Sequence, residues 1–366
     1  MNILFLTTHA NTGGITSYLL TLGEALVKSG HKVLVVSSGG NCVSRFEAVG
    51  IRHVQFNIRT KSEVHPKLFF SLGPLKDLID KEQINIIHAQ TRVTQVMGYF
   101  LSRLTGVRMV TTCHGFFRPR WFRKFFPCWG EAVIAISKPV AFHLSEDFGV
   151  LKNKIHLIPN GIDLNRFAMT NDQMRQESRQ KWGISTTPLI GVIARLSDVK
   201  GIKVLIEAMP LILKQLPSAN LIIAGQGPEE SNLKKLTQDL SLTSQVHFKN
   251  TINQTPELLA AFDVFVMPSL MEGLGLSVME AQACGIPVVA SSVGGLVDLI
   301  VDGKTGFLVE SNDAQALAGR IIDVLKDPQH SKLMAKEARA NIEEKFSVGQ
   351  MLQETLKVYD EQYSRR

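Results

Sequence analysis

Residues 3–36 read ILFLTTHANTGGITSYLLTLGEALVKSGHKVLVV. Two short apolar runs, 3–7 and 33–36, flank a stretch in which Tyr18, Leu19, Leu22, Ala25 and Leu26 recur at helical spacing. That spacing predicts a helix over 16–29, with Gly30 as its stop. A strand, an amphipathic helix and a second apolar strand form a βαβ unit, whose crossover makes the two strands parallel.

The same alternation runs outward from there. Further first-half strands are expected at 84–88, 109–112, 133–136 and 155–158, each short, continuous and rich in Val or Ile, as in sheets covered on both faces. The second half repeats the pattern with strands at 189–193, 221–224, 246–249, 264–267, 288–290 and 306–309, and a helix at 202–216. The fold class is therefore α/β, with two doubly wound, Rossmann-like domains. The polar stretch 165–180 marks the boundary, giving domains 1–168 and 169–346. A last helix near 348–363 is apolar along Met351, Leu352, Leu356 and Tyr359, so it must pack against something. Such sheets bind ligands beyond the carboxyl ends of their strands, which here points to a cleft between the domains.

Composition agrees with this reading. A chain of 366 residues with 45% hydrophobic and 20% charged residues can bury two cores and is neither disordered nor fibrous. No apolar run reaches the roughly 18 residues of a membrane span, and the first residues read as a strand rather than a signal peptide. The four cysteines are scattered, with no Cys-x-x-Cys pair, which favours a reducing cytoplasm over a disulfide or zinc framework. The net charge of +7 is uneven: residues 1–170 carry 20 Lys and Arg against 10 Asp and Glu, residues 171–366 carry 20 against 23. A basic half faces something anionic, such as a phosphorylated substrate, a lipid surface or nucleic acid, or else serves solubility alone.

The richest constellation is Met267-Pro-Ser-Leu-Met-Glu272-Gly273-Leu274-Gly275-Leu276-Ser-Val-Met-Glu280-Ala281, between an apolar strand and an apolar helix. Glycines at 273 and 275 let the backbone turn tightly, and the first amides of the helix, unpaired and partly positive, suit a phosphate. Glu272 and Glu280 are acceptors that can each hold vicinal hydroxyls. The alternative is a helix capped by Glu272 with Glu280 solvated. A second anion site is suggested by Arg195 and Lys200 on the loop after strand 189–193, free to converge on a diphosphate, or else merely a basic solvated loop. Gly13-Gly14 at the first strand-to-helix turn permits close approach of a phosphate or sugar, or is only a turn. His114, just past strand 109–112, faces the same cleft, as a site residue or a structural one.

Other motifs drop out. Gly303-Lys304-Thr305 lacks the upstream glycine of a P-loop, since Asp298 stands there. Gly225-Gln226-Gly227-Pro228 departs from a dinucleotide fingerprint. No Asp-x-Asp pair or His/Cys cluster calls for a metal, and two cations with a helix terminus can neutralise a diphosphate leaving group instead. No cofactor is expected. Residues 116–129 hold seven aromatic and four basic residues, which suits a membrane interface or a loop anchored into its own domain; no nucleic-acid motif accompanies them.

With these motifs together, the chain resembles the retaining GT-B glycosyltransferases of family four (glycosyl transferases group 1). The resemblance rests on Glu272 and Glu280 in their setting, on Arg195 with Lys200-Gly201, and on Ile158-Pro159-Asn160-Gly161-Ile162-Asp163. Cys284-Gly285-Ile286-Pro287 and Val293-Gly294-Gly295 also fit. It covers nearly the whole chain. It implies a GT-B fold, with 1–168 on the acceptor side, 169–346 binding a nucleoside-diphosphate sugar and 347–366 crossing back to the first domain. It implies transfer of the sugar to an acceptor hydroxyl in cell-surface glycan or glycolipid synthesis. Glu280 would hold the ribose, Glu272 the donor sugar, and Arg195 and Lys200 the diphosphate. Backbone amides at Gly273, Leu274, Gly275, Leu276, Gly13 and Gly14 would assist, and His114 would lie near the reacting carbon. The family often has an aromatic where Leu274 stands, which leaves the donor sugar open. A nucleotide-sugar epimerase, a phosphorylase or a non-catalytic nucleotide-sugar binder would suit the same architecture. The acceptor is expected to be a glycan or lipid-linked, met by a cytoplasmic protein at an anionic inner membrane face.

Overall fold

The apolar runs become strands. In the first half, β1 (Asn2–Leu6), β2 (Lys32–Ser37), β3 (Arg52–Gln55), β4 (Ile86–Ala89), β5 (Arg108–Cys113), β6 (Ala132–Ala135) and β7 (Ile155–Leu157) pair in parallel in the order β3-β2-β1-β4-β5-β6-β7. The computed structural model describes residues 1–60, 62–63, 65–118, 123, 125–184, 188–250 and 255–364. β3 lies at the sheet edge and is half-exposed and polar, so it lacks the continuous apolar run that marks its neighbours.

Side chains of β1 divide with period two. Ile3 and Phe5 enter a core shared with helix Gly14–Lys28 and the last helix, Val348–Ser364. Leu4 and Leu6 enter a second core with Leu75 and Ile79 of helix Leu72–Lys81 and Met97 and Leu101 of helix Arg92–Thr105. The last helix is also pinned by a buried polar contact. The Tyr359 hydroxyl lies 2.6 Å from His88 Nδ1, and His88 Nε2 lies 2.7 Å from Thr112 Oγ1, which meets the Tyr18 hydroxyl at 3.2 Å.

In the second half, β8 (Leu189–Ile193), β9 (Asn220–Ala224), β10 (Val246–Lys249), β11 (Val264–Met267), β12 (Val288–Ser291) and β13 (Phe307–Val309) form a parallel sheet in the order β10-β9-β8-β11-β12-β13. Its core joins Ile190, Val192, Val264 and Val266 to Leu205 and Met209 of helix Ile202–Gln215 and to Leu317 and Ile321 of helix Ala314–Lys326. Each sheet reverses its winding beside its first strand, at β1/β4 and at β8/β11. Both halves are thus doubly wound, Rossmann-like domains, and these switch points are where such sheets bind ligands.

The chain divides into two compact units, Met1–Gly161 with Ser347–Arg366, and Ile162–Phe346. The first break falls ahead of the one expected after residue 168. Ile162 N–H donates to the Phe346 carbonyl at 2.8 Å, Phe167 is buried, and its carbonyl accepts from Arg339 at 2.6 Å, all within the second unit. No helix among the described residues is long and apolar enough to cross a membrane.

Candidate functional site

In the second unit, β8 and β11 lie side by side, so the loops after them meet. The loop after β8 is first fixed to the one after β9: Leu196 N–H donates to the Gln226 carbonyl at 3.0 Å, and Leu196 is buried. Only glycine fits at 227, since a Cβ there would lie 2.0 Å from the Leu196 carbonyl oxygen. The Gly225-Gln226-Gly227 motif is therefore a close crossing of two loops. Arg195, next to the anchored Leu196, is exposed; its carbonyl accepts from Ser197 N–H at 2.9 Å, and its guanidinium has no hydrogen-bond or ion-pair partner among the described residues.

The chain then makes a 3-10 turn, Asp198–Lys200, closed by Gly201 in the left-handed region at φ +61°. Leu270 N–H donates to the Val199 carbonyl at 2.8 Å, and a Cβ on Gly201 would lie 1.9 Å from the Pro268 carbonyl oxygen. This approach delivers Lys200 to the loop after β11, where Lys200 Nζ pairs with Glu272 Oε2. Their side chains are only 22% and 12% exposed, so the pair is shielded from solvent screening. Ser269 Oγ donates to the same carboxylate oxygen at 3.3 Å. Lys200 and Glu272 thus meet directly, which sequence spacing did not reveal; their expected partners were a phosphate and a sugar.

Helix Leu276–Ala283 begins at Gly275, φ +103°, and no side chain caps it. Val278 and Met279 N–H donate to the Gly275 carbonyl, while the amides of Leu276 and Ser277 have no partner among the described residues. These amides, next to Glu272 in sequence, form an anion-receptive terminus. Leu274 is buried beneath the turn. Glu280, one turn farther along the helix, is half-buried. Burial pushes its carboxyl up to about 7, against the opposing pull of Arg166, a residue that sequence reasoning passed over. Glu272 does not cap this helix with its side chain, which sets aside that alternative.

In the first unit, Gly13 and Gly14 are exposed at the start of helix Gly14–Lys28, again without a side-chain cap. The loop before them is latched by Ala10 N–H to the Gly39 carbonyl at 2.9 Å and Thr12 N–H to Asn41 Oδ1 at 2.9 Å. His114 follows β5 and is half-buried, and burial lowers its imidazole to about 3. Its Nε2 lies 2.8 Å from Gln90 Oε1, and its ring meets Tyr18 edge to face at 4.9 Å. Gln90 was also missed; it directly follows the buried strand Ile86–Ala89 and is itself buried.

The aromatic and basic stretch 116–129 divides. Trp129 is buried and meets Phe148 at 5.6 Å, and Phe116 meets His143 at 5.3 Å, so part of it anchors the loop. Arg92 donates to the Phe126 carbonyl at 2.6 Å and to Glu63, which also pairs with Arg123. Phe125 is 82% exposed, as is Phe70 in helix Pro66–Phe70. Residues 119–122 and 124 lie outside the described residues. Among the described residues no group of His, Cys, Asp and Glu could hold a metal ion, and the four cysteines are free and buried.

The chain is similar to known proteins along nearly its whole length. A family model described as Glycosyl transferases group 1 matches residues 174–341, and one described as Glycosyltransferase Family 4 matches residues 12–166. The chain is 34% identical over 352 residues to the GDP-mannose-dependent alpha-(1-6)-phosphatidylinositol monomannoside mannosyltransferase of Mycolicibacterium smegmatis, covering 89% of each chain. It is 36% identical over 202 residues to the GDP-mannose-dependent monoacylated alpha-(1-6)-phosphatidylinositol monomannoside mannosyltransferase of Corynebacterium glutamicum, a match that spans 52% of each. The structure of Anabaena HepE in complex with UDP and glucose aligns with a TM-score of 0.88 at 24% identity, over 99% of this chain and 100% of that one.

Proposed function

This chain belongs to family four of the GT-B glycosyltransferases (glycosyl transferases group 1), and we propose that it moves a hexose from a nucleoside diphosphate to an acceptor hydroxyl with retention at the anomeric carbon. The observation that carries this reading is the cluster at the β8/β11 switch point: Arg195 unpaired, Lys200 against Glu272, and the open start of helix Leu276–Ala283. Cations and partly positive amides suit the diphosphate, and the carboxylates of Glu272 and Glu280 suit hydroxyls of the donor sugar and the ribose.

In this reading the anomeric carbon–oxygen bond to the diphosphate breaks and a bond to the acceptor oxygen forms on the same face. The departing phosphate oxygen takes the acceptor's proton. Negative charge grows on the diphosphate as the bond breaks, and Arg195, Lys200 and the amides of Leu276 and Ser277 stabilise it, which is where preorganised charge accelerates such a reaction. Incoming diphosphate draws Lys200 off Glu272, so Glu272 then accepts sugar hydroxyls. The same cations supply the neutralisation that a divalent ion gives in other transferases, so turnover is expected to survive chelation. Gly13 and Gly14 add amides and His114 a contact to the donor sugar.

The relatives named above use GDP-mannose, and the Anabaena structure holds UDP and glucose, so guanosine and uridine donors are the first to try. The acceptor is proposed to be a glycolipid or lipid-linked glycan at an anionic membrane face. The basic first half and the exposed Phe70 and Phe125, near Lys67 and Arg123 in sequence, support that placement. A donor panel scored by thermal shift, followed by assay of nucleoside-diphosphate release with and without acceptor, tests the reading. One donor should raise the melting temperature and release diphosphate only with acceptor. Epimerised donor without acceptor, or binding without release under any acceptor, contradicts it.

A further inference from the structure

His114 is held by groups from three other parts of its unit. Gln90, just past β4, lies with Oε1 2.8 Å from His114 Nε2, and Tyr18 of helix Gly14–Lys28 meets the ring edge to face. The far end of the Gln90 amide sets its orientation: Nε2 of Gln90 donates to the His88 carbonyl oxygen at 3.4 Å, and an amide oxygen turned there would oppose that carbonyl. The oxygen of that amide therefore faces the imidazole. A carboxamide oxygen only accepts, so the proton of this contact must sit on His114 Nε2. Nδ1 of His114 has no partner among the described residues.

We propose that Gln90 is a positioning residue that holds His114 as the neutral Nε2–H tautomer, so that Nδ1 is a hydrogen-bond acceptor for a hydroxyl of the donor sugar and His114 does not serve as a proton donor. The sugar in this statement rests on the glycosyltransferase reading; the tautomer does not. The surroundings agree. The titratable groups beside His114 are Tyr18 from its helix, His88 from β4 and, adjacent in the chain, Cys113 of β5, whose thiol donates to the Gly115 carbonyl. Burial pushes the Tyr18 hydroxyl up, the Cys113 thiol up to about 12 and the His88 imidazole down to about 3. All three are neutral at physiological pH, and no carboxylate among the described residues pairs with His114 to favour an imidazolium.

The test is a long-range 1H–15N spectrum of the histidine rings in the full-length protein, from about pH 5 to about pH 8, with His114 assigned by its loss in His114→Asn. The wild type should show one bare and one protonated nitrogen in the Nε2–H pattern, unchanged across the range. An Nδ1–H pattern, or a titration near the ordinary histidine value, overturns the proposal. In Gln90→Glu the carboxylate keeps the acceptor but adds charge, so His114 should take a second proton and the pH profile of turnover should gain a new limb. An unchanged spectrum and profile in Gln90→Glu also overturn it. In Gln90→Leu the ring loses its acceptor and should show both tautomers; should that variant not fold, the first two spectra decide alone. An Nε2–H His114 in a protein that transfers no sugar faults the functional reading and leaves the tautomer standing.

Discussion

Around the carboxyl ends of β8 and β11 the candidate side chains are charged and partly exposed, whereas around those of β4 and β5 they are neutral, with His88, Gln90 and Thr112 buried and His114 half-buried. The two switch points share a topology, so topology is not what sets them apart. In the second unit, backbone crossings at Gly201 and Gly227 bring Lys200 to Glu272 beside an open helix start. In the first, Tyr18, His88, Gln90, Thr112 and Tyr359 satisfy one another around His114, and burial keeps both imidazoles uncharged. The lesson is a division of labour. On the proposed reading, charged groups suit the stabilising of a leaving group and neutral, directional ones the orienting of a sugar.

The sharpest way to break this contrast is at the crossing that delivers Lys200. Gly201→Ala adds a Cβ against the Pro268 carbonyl and forces a left-handed conformation, so the second unit should lose about 3 kcal/mol or more in urea unfolding. A loss below about 1 kcal/mol would mean that the loops can part freely. Next is Lys200→Ala, expected to lower turnover at least about a hundredfold, roughly 2.7 kcal/mol of transition-state stabilisation, with the fold intact by circular dichroism. Near-normal turnover in that variant removes Lys200 from the chemistry.

Glu280 sharpens the comparison through pH. Its carboxyl is raised from 4.5 to about 7 in the folded protein, so between those values the folded state binds more protons than the unfolded one. Stability contributed by this group therefore falls as pH rises through that window. Glu280→Gln avoids the loss and should be more stable than wild type at pH 8 by about 2–3 kcal/mol, and no more stable at pH 4. Equal stability at both pH values would show that Glu280 is as well solvated as a surface acid. The smallest effect is expected in the neutral unit. Tyr359→Phe leaves His88 Nδ1 buried without its partner and should cost about 1–2 kcal/mol in thermal unfolding, with an unchanged core. No cost at all would mean that the last helix is held by its apolar face alone.

Much of the architecture was legible because buried parallel strands write themselves as continuous apolar runs; β8, β10 and β11 match the expected spans residue for residue. β3 was not, because an edge strand reading Arg52-His53-Val54-Gln55 has no such run. Glu272 and Glu280 could be found because they bracket one turn, whereas the Lys200–Glu272 pair joins residues 72 apart and the His88–Tyr359 contact residues 271 apart. Such contacts depend on which strands lie side by side, and a pattern of local periodicity does not encode that. Gln90 was hidden for a different reason: its importance comes from which imidazole nitrogen it faces, a matter of geometry and not of residue type.

Calorimetric titration of GDP and UDP into wild type, Arg195→Ala, Lys200→Ala and His114→Ala addresses the central contrast most directly. At least one nucleotide should bind the wild type, and each of the two cation variants should bind it at least about tenfold more weakly, some 1.4 kcal/mol, with His114→Ala unchanged. Undiminished binding in Arg195→Ala and Lys200→Ala, or a loss confined to His114→Ala, would contradict a diphosphate held by charge at the β8/β11 switch point.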